Sequence, residues 1–155
     1  MDNAPHLRFR EDILGIEQPA GSVRVTEEII RRYAAILAHP LPPNSHGEPL
    51  EAPVALLNLF FTRNVPIRAE VHLEGATVGV NAGRSIEILE KVYAGDAMDR
   101  TAVLREVFVK TGRPGAMAFE VWEILFHNQH GLLVARGRDS VAYRPPWGRG
   151  PRVNA

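Results

Sequence analysis

The chain has 155 residues, the length of one globular domain, and its 18 Lys and Arg residues balance its 18 Asp and Glu residues. A formal net charge of zero argues against a protein that holds nucleic acid or an anionic membrane through its overall field. The chain has no cysteine, which excludes disulfides, thiolate catalysis and cysteine-ligated metal centres. Any chemistry must therefore come from histidine, carboxylate, hydroxyl or backbone groups.

The sequence shows neither a membrane span nor a secretion signal. A bilayer-spanning helix needs about 20 apolar residues, and the longest apolar stretch, Val54 to Phe61, is interrupted by Asn58. Residues 1–17 lack the apolar core of a signal peptide. We therefore expect a cytoplasmic protein folded as a single domain over residues 1–155, with its core at about 15–145 and an extended or disordered tail at 146–155.

The first regular element is a predicted helix from about Glu27 to Ala38. Thr26 is a suitable N-cap, two acidic residues follow it, and the apolar residues after them share one helical face. Pro40 disfavours the α conformation in the residue before it, so the helix should stop at His39. Residues 39–51 should form an irregular loop.

A second helical segment should open at Ala52, Pro53 and Val54. Proline suits the first turn of a helix, and residues 54–61 are apolar on nearly every side. This pattern predicts a helix that is buried all round.

Four runs of alternating apolar and polar residues then predict four long strands. The breaks between the runs are short enough for antiparallel hairpins, so the strands should form a meander. In the third run both faces are largely apolar, and one helix can cover only one of them. We therefore expect an oligomer in which the other face, or a sheet edge, meets another subunit. The runs are Arg84 to Tyr93, Met98 to Lys110, Ala116 to His127 and Leu132 to Tyr143.

Several short motifs in this order resemble the MaoC-like dehydratases, in particular the branch described as their N-terminal dehydratase domain. The resemblance covers about residues 15–145 and rests on Arg24 to Ala34, Ala52-Pro53, Asn81 to Ile88 and Val92 to Asp96. It implies an α+β architecture: a single hotdog fold, in which a long antiparallel sheet wraps around a central buried helix. It also implies a partner, since such chains form homodimers or heterodimers with another hotdog chain.

The activity that the resemblance implies is the interconversion of 2-enoyl and 3-hydroxyacyl chains carried as thioesters of coenzyme A or acyl carrier protein. No cofactor beyond the thioester substrate is implied, and no metal. Ala52, Pro53, Val54, Gly83 and Arg84 are the substrate-binding residues that the resemblance implies.

The loop of this chain that corresponds to the family's catalytic loop departs from the family pattern. The family places an Asp and a His in the loop after the first helix, spaced Asp-x-x-x-x-His, to activate water and move a proton. Here His39 stands at the Asp position and Asn44 at the His position, and His46 lies nearby. Because Asn cannot accept a proton at neutral pH, the usual base is missing.

Three hypotheses follow, and whether the chain is an enzyme by itself stays open. The favoured one is a subunit with a degenerate catalytic loop that acts with a catalytic hotdog partner. The first alternative is an active hydro-lyase with a rearranged site that uses His39 or His46. The second is a non-catalytic module that binds acyl thioesters.

Other polar residues have structural explanations. Asp96 is expected to hydrogen-bond its own backbone in a Gly-Asp turn. Glu120 and Glu123 should face opposite sides of one strand, so they cannot form a carboxylate pair. The histidines at 72, 127 and 130 lack metal-ligand spacing. Late arginines either lie beside the phosphates of a coenzyme A or phosphopantetheine arm or are simply solvated: Arg136, Arg138, Arg144, Arg149 and Arg152.

Overall fold

The structure is a computed structural model that describes residues 6–41, 47–61, 65–113 and 115–146. No helix in this part of the chain is long and apolar enough to cross a membrane. The predicted tail lies almost wholly outside the described residues. The elements, in chain order, are β1 (Leu7–Arg8), the 3-10 helix η1 (Glu11–Ile13), β2 (Glu17–Arg24), α1 (Glu27–Ile36), the 3-10 helix η2 (Val54–Phe60), β3 (His72–Leu73), β4 (Val78–Ile88), β5 (Ala97–Gly112), β6 (Gly115–Asn128) and β7 (Leu133–Arg144).

A five-stranded antiparallel sheet forms the body of the fold, in the order β2-β5-β6-β7-β4. β1 and β3 pair separately as a two-stranded ribbon. The last three predicted strands are confirmed within two residues at each end, and they form the predicted hairpins β5-β6 and β6-β7. Period-two alternation located these strands because one face of each packs on the core.

The first predicted strand is wrong in its bounds and in its partner. β4 runs from Val78 to Ile88 rather than from Arg84 to Tyr93, and it pairs with β7 instead of forming a hairpin with β5. β2 already occupies the free side of β5, so β4 is placed at the opposite edge of the sheet. A bulge between Asn81 and Gly83 interrupts the pairing of β4, and the Asn81 side chain accepts a hydrogen bond from the Gly83 N–H at 3.0 Å.

β2 was not predicted from the sequence, because Pro19 and Gly21 lie within it. The structure places a register shift at these residues. The buried guanidinium of Arg100 donates to the backbone carbonyls of Gly21 and Phe60 and so joins this irregular point of β2 to the end of η2. Burial lowers the pKa of Arg100 from its ordinary value.

α1 begins as predicted and ends before the predicted residue. The Thr26 hydroxyl caps it by accepting from the Ile29 N–H at 3.2 Å. The last helical residue is Ile36, because Ala38 adopts a positive φ of 49° and the His39 N–H turns back to the Ala34 carbonyl at 2.8 Å. This is a Schellman-type ending with alanine in the position that glycine usually occupies.

Replacing Ala38 with glycine should stabilise the protein. An L side chain in the left-handed region costs about 1 kcal/mol, and glycine avoids this strain. We expect Ala38→Gly to raise the free energy of unfolding by about 0.5–1 kcal/mol in urea denaturation. Ala35→Gly, inside the helix, is the matched control and should lower it by a similar amount. A loss of stability in Ala38→Gly would contradict this account of the helix end.

η2 packs on the sheet with one side only, so the prediction of a helix buried all round is wrong. Leu56 and Leu57 are buried, whereas Val54 and Leu59 are 69% and 53% exposed. The exposed residues Val54 and Leu59 flank this buried pair in the sequence, and their side chains form the outer side of η2. The outer side is an apolar surface that the described residues do not cover.

The two faces of β6 differ in their surroundings. Trp122, Ile124 and Phe126 are buried on the core face, beneath η2 and the segment that follows it. On the other face Glu123 forms an ion pair with Arg105 and a longer one with Arg136, at 3.7 Å. The rest of this face of β6 is largely apolar, so the covering of this face or of a sheet edge by another subunit stays a prediction.

Candidate active site

A pocket of about 430 Å³ lies where the end of α1 meets the start of η2. It contains four of the residues predicted for the site: His39, Ala52, Pro53 and Val54. The Tyr33 hydroxyl donates to the Ala55 carbonyl at 3.0 Å and so fastens α1 to η2. The complete lining is Leu37, His39, Leu41, Glu51, Ala52, Pro53, Val54 and Ala55.

His39 owes its place in the pocket to the ending of α1. The left-handed Ala38 reverses the chain, and His39 leaves the helix with an exposed side chain. The other two predicted catalytic residues, Asn44 and His46, lie outside the described residues. The geometry therefore brings His39 to residues 52–54, the segment that the resemblance assigns to substrate binding.

Glu51 is the carboxylate in this lining, and sequence reasoning missed it. Its Oε2 atom lies 2.8 Å from the Lys91 Nζ, and this hydrogen bond and the charge of Glu51 raise the pKa of Lys91. The sequence feature that could have indicated Glu51 is its position directly before Ala52-Pro53. The ion pair with Lys91 occupies the Oε2 atom of Glu51, which suits a positioning role better than proton transfer.

The remaining predicted substrate-binding residues lie at the other end of η2. Gly83 is in the bulge of β4, and the Arg84 Nε lies 3.3 Å from the Oδ1 of the buried Asp139. The Arg84 guanidinium also lies over the Phe61 ring, 4.6 Å from its centroid. β4 pairs with β7 along its whole length. Arg84 therefore lines a separate open cavity, and the five predicted residues do not form one surface.

η2 is poorly suited to polarise a thioester carbonyl. The resemblance to the MaoC-like dehydratases implies that the amides at a helix N-terminus polarise this carbonyl. η2 is a 3-10 helix of seven residues, and Pro53, which has no N–H, precedes it. Few aligned peptide dipoles add up over this length, so the electrostatic contribution is small.

The alternative sites that the sequence suggested have structural roles. Asp96 accepts hydrogen bonds from the Tyr93 N–H at 2.8 Å and from the Gln129 side chain at 3.0 Å, which confirms its predicted turn role. Glu120 is buried on the core face, and Glu123 lies on the other face, as predicted. Within residues 6–146, less the undescribed positions, no group of three His, Asp or Glu residues is placed to hold a metal ion.

The late arginines are partly neutralised. Arg136 and Arg138 form ion pairs with Glu123 and Glu106. Arg144 donates to the Pro145 carbonyl. Arg149 and Arg152 lie outside the described residues, and none of the three described late arginines lines the pocket at His39.

No protein-family model matches the sequence, and no curated protein matches it. Several solved structures do match. The HadBC (3R-hydroxyacyl-ACP dehydratase) complex from Mycobacterium tuberculosis has 20% identity and a TM-score of 0.60, over 84% of this chain and 97% of that one.

Two further structures give the same result. The MaoC-like dehydratase from Rhodospirillum rubrum has 18% identity and a TM-score of 0.58, over 90% of this chain and 99% of that one. The ChsH1-ChsH2 complex from Mycobacterium tuberculosis has 15% identity and a TM-score of 0.65, over 85% and 89%. The strand order, the segment on the core face of the sheet and these similarities together show that the chain has the α+β hotdog fold of the MaoC-like dehydratases.

Proposed function

We propose that this chain is a MaoC-like subunit with a degenerate catalytic loop, which acts on acyl thioesters of coenzyme A or acyl carrier protein together with a catalytic hotdog partner. One observation carries the proposal: a pocket lies beside the segment that the resemblance assigns to the substrate, but the Asp position of the family pattern holds the exposed His39, and the carboxylate of the described lining, Glu51, is paired with Lys91. Addition of water to an enoyl thioester needs a proton acceptor and a group that orients it. Among the described residues that line this pocket, no such arrangement is present.

The exposed apolar residues beside the pocket support a partner. Ile36 and Leu37 at the end of α1 are 81% and 54% exposed, and Val54 and Leu59 add the outer side of η2. Apolar residues gathered in this way mark an interaction surface more often than a solvated one. A hotdog partner that covered them would also enclose the pocket.

The β4 edge gives a second argument for a partner. β4 has 11 residues, pairs with β7 on one side and has no strand on the other side among the described residues. A long edge strand invites pairing with another chain. Two of the matching structures are complexes, HadBC and ChsH1-ChsH2, which supports pairing with a different hotdog chain.

A rearranged active site is the second candidate, because His39 and Glu51 line the same pocket. In this version His39 would accept the proton and Glu51 would orient it. The ion pair between Glu51 and Lys91 competes with that role, so this candidate ranks second.

The test is a hydration assay with 2-enoyl thioesters, in which the chain is measured alone and with the hotdog protein encoded next to it. We expect the chain alone to be at least about 100-fold less active than the pair, since a correctly placed acid–base group contributes about 10²–10⁴-fold. His39→Ala should leave the activity of the pair unchanged. Activity of the chain alone that His39→Ala or Glu51→Gln abolishes would establish the rearranged site instead.

A second experiment introduces the Asp and the His of the family pattern at positions 39 and 44. His39→Asp combined with Asn44→His should give the first variant with turnover by itself, whereas Asn44→His alone should remain inactive because the orienting carboxylate is absent. Binding of an acyl thioester without hydration, alone or with any hotdog chain, would contradict the proposal and identify a pure binding module.

A further inference from the structure

One half of β5 has a strand on one side only. β2 pairs with β5 from Ala97 to Val103, and just beyond this stretch the Gly15 N–H donates to the Leu104 carbonyl at 2.9 Å. Residues 106–112 pair with β6 and have no neighbouring strand on their other side among the described residues. We call residues 106–112 the open segment. Its unpaired backbone N–H and C=O groups can accept one further strand.

The open segment has the composition of a strand that pairs. Val107, Phe108 and Val109 are β-branched or aromatic, and all three are half-buried. Phe108 stacks on Phe119 of β6, with 5.2 Å between the ring centroids, and the Lys110 Nζ lies over both rings at 5.2 Å and 5.8 Å. An exposed lysine often protects an edge strand from pairing. Here the lysine is drawn over the aromatic rings instead.

The charges of the open segment fit a second copy of the same segment. In an antiparallel pair with a two-fold axis, each residue faces the one that lies equally far on the other side of the axis. With the axis at Phe108, Glu106 faces Lys110 of the second copy and Lys110 faces its Glu106. Val107 then faces Val109 on the other face of the sheet. No other position of the axis brings Glu106 opposite Lys110.

The existing ion pair of Glu106 does not prevent this contact. Glu106, Phe108 and Lys110 alternate along the strand and therefore share one face of the sheet. A Glu106 oxygen lies 3.5 Å from the Arg138 guanidinium, and both of these side chains are more than half exposed. Surface pairs of this kind contribute little to stability. Glu106 can therefore turn to the lysine of a second copy at small cost.

We propose that two copies of this chain associate through the open segment, antiparallel, with Phe108 at the two-fold axis and Glu106 opposite Lys110. Main-chain hydrogen bonds extend the sheet from one copy to the other, and the two ion pairs fix the register. A contact of this length is small, so the association is reversible. The proposed function places its hotdog partner at η2 and the β4 edge, so this contact is separate from that one.

Charge reversal tests the register, with self-association of the purified chain measured by sedimentation velocity. Glu106→Lys should weaken the association at least about tenfold, because it puts a lysine opposite Lys110 at both ends of the contact. Lys110→Glu should have the same effect through two facing glutamates. An equimolar mixture of the two variants should regain the association of the unmodified chain, because every lysine at the contact then faces a glutamate.

Glu87→Lys is the matched control, since it reverses an exposed charge on β4, at the opposite edge of the sheet. It should leave this association unchanged. A larger effect of Glu87→Lys than of Glu106→Lys would place the contact at the β4 edge and overturn the proposal. The proposal also fails if the unmodified chain sediments like both single variants, or if their mixture associates no better than either variant alone.

The absence of cysteine from the chain permits a second measurement, which also decides if a charge variant does not fold. Residues that face each other in an antiparallel pair have Cα atoms about 4.5–5.5 Å apart, within the range of a disulfide. An oxidised mixture of Val107→Cys and Val109→Cys should therefore form a disulfide-linked dimer, and neither variant should do so alone. Crosslinking of either variant by itself would establish a different register, and a mixture without crosslinks would exclude the pairing. Both results would overturn the proposal.

Discussion

Replacing Gly137 with alanine should destabilise the protein by about 2–4 kcal/mol, at the upper end of the cost of overpacking a core. A Cβ atom at Gly137 would lie 1.9 Å from Cε2 and 2.1 Å from Cζ of Phe61, far inside van der Waals contact. Phe61 is 2% exposed and is confined by Phe126, 6.2 Å away between ring centroids, and by the Arg84 guanidinium. Moving the Phe61 ring aside would therefore disrupt these contacts. We expect the urea concentration at the midpoint of unfolding to be lower for Gly137→Ala than for the unmodified protein.

Gly79→Ala is the matched control, since Gly79 also lies in a strand of the same sheet. Its Cβ would come no closer than 3.4 Å to Tyr143, which is ordinary contact, so little stability should be lost. Combining Gly137→Ala with Phe61→Leu should restore part of the loss, because the smaller side chain leaves room for the methyl group. Equal stability of the two alanine variants would show that Phe61 does not lie over Gly137.

Truncating Leu57 to alanine should cost about 2–5 kcal/mol, from lost transfer free energy and from the cavity left behind. Leu57 is 2% exposed and belongs to the main core cluster beneath η2. The measurement is the free energy of unfolding from urea denaturation, fitted with a common slope.

The neighbouring residues of η2 are the controls for Leu57. Phe60 packs only at the edge of the core and is half-buried, so Phe60→Ala should cost less than Leu57→Ala although it removes a larger side chain. Leu59→Ala, at a position 53% exposed, should change the stability of the isolated chain little. If Leu59→Ala and Leu57→Ala cost the same, η2 does not pack on the sheet through the side described here.

The elements that the sequence predicted well are those whose signals are local. β5, β6 and β7 alternate regularly, and the Thr26 cap with its acidic turn marks the start of α1. The elements that were missed or wrongly predicted depend on residues far away in the sequence or on irregular backbone conformations. Pro19 and Gly21 interrupt the strand pattern of β2, so the sequence does not indicate a strand there. No local pattern indicates that β4 pairs with β7.

The candidate site was predicted in part for the same reason. His39 and residues 52–54 line one pocket, at the two ends of the segment that connects α1 to η2. Glu51 was missed because an isolated glutamate has no pattern, and its meaning comes from Lys91, 40 residues later. The sequence did not indicate that Arg84 lies away from residues 52–54, because its position depends on the pairing of β4 with β7.

The strand order also has a consequence for the synthesis of the chain. β2 is made early, yet Glu17 pairs with Val103 and Arg24 with Ala97, so it must wait for β5; β4 likewise waits for β7, where Val78 meets Arg144. Such non-local pairing slows folding, and unpaired edges in incomplete chains promote aggregation. A nascent or truncated chain without β7 presents both β4 and β6 as open edges, and it should therefore depend on chaperones until its last strand has left the ribosome.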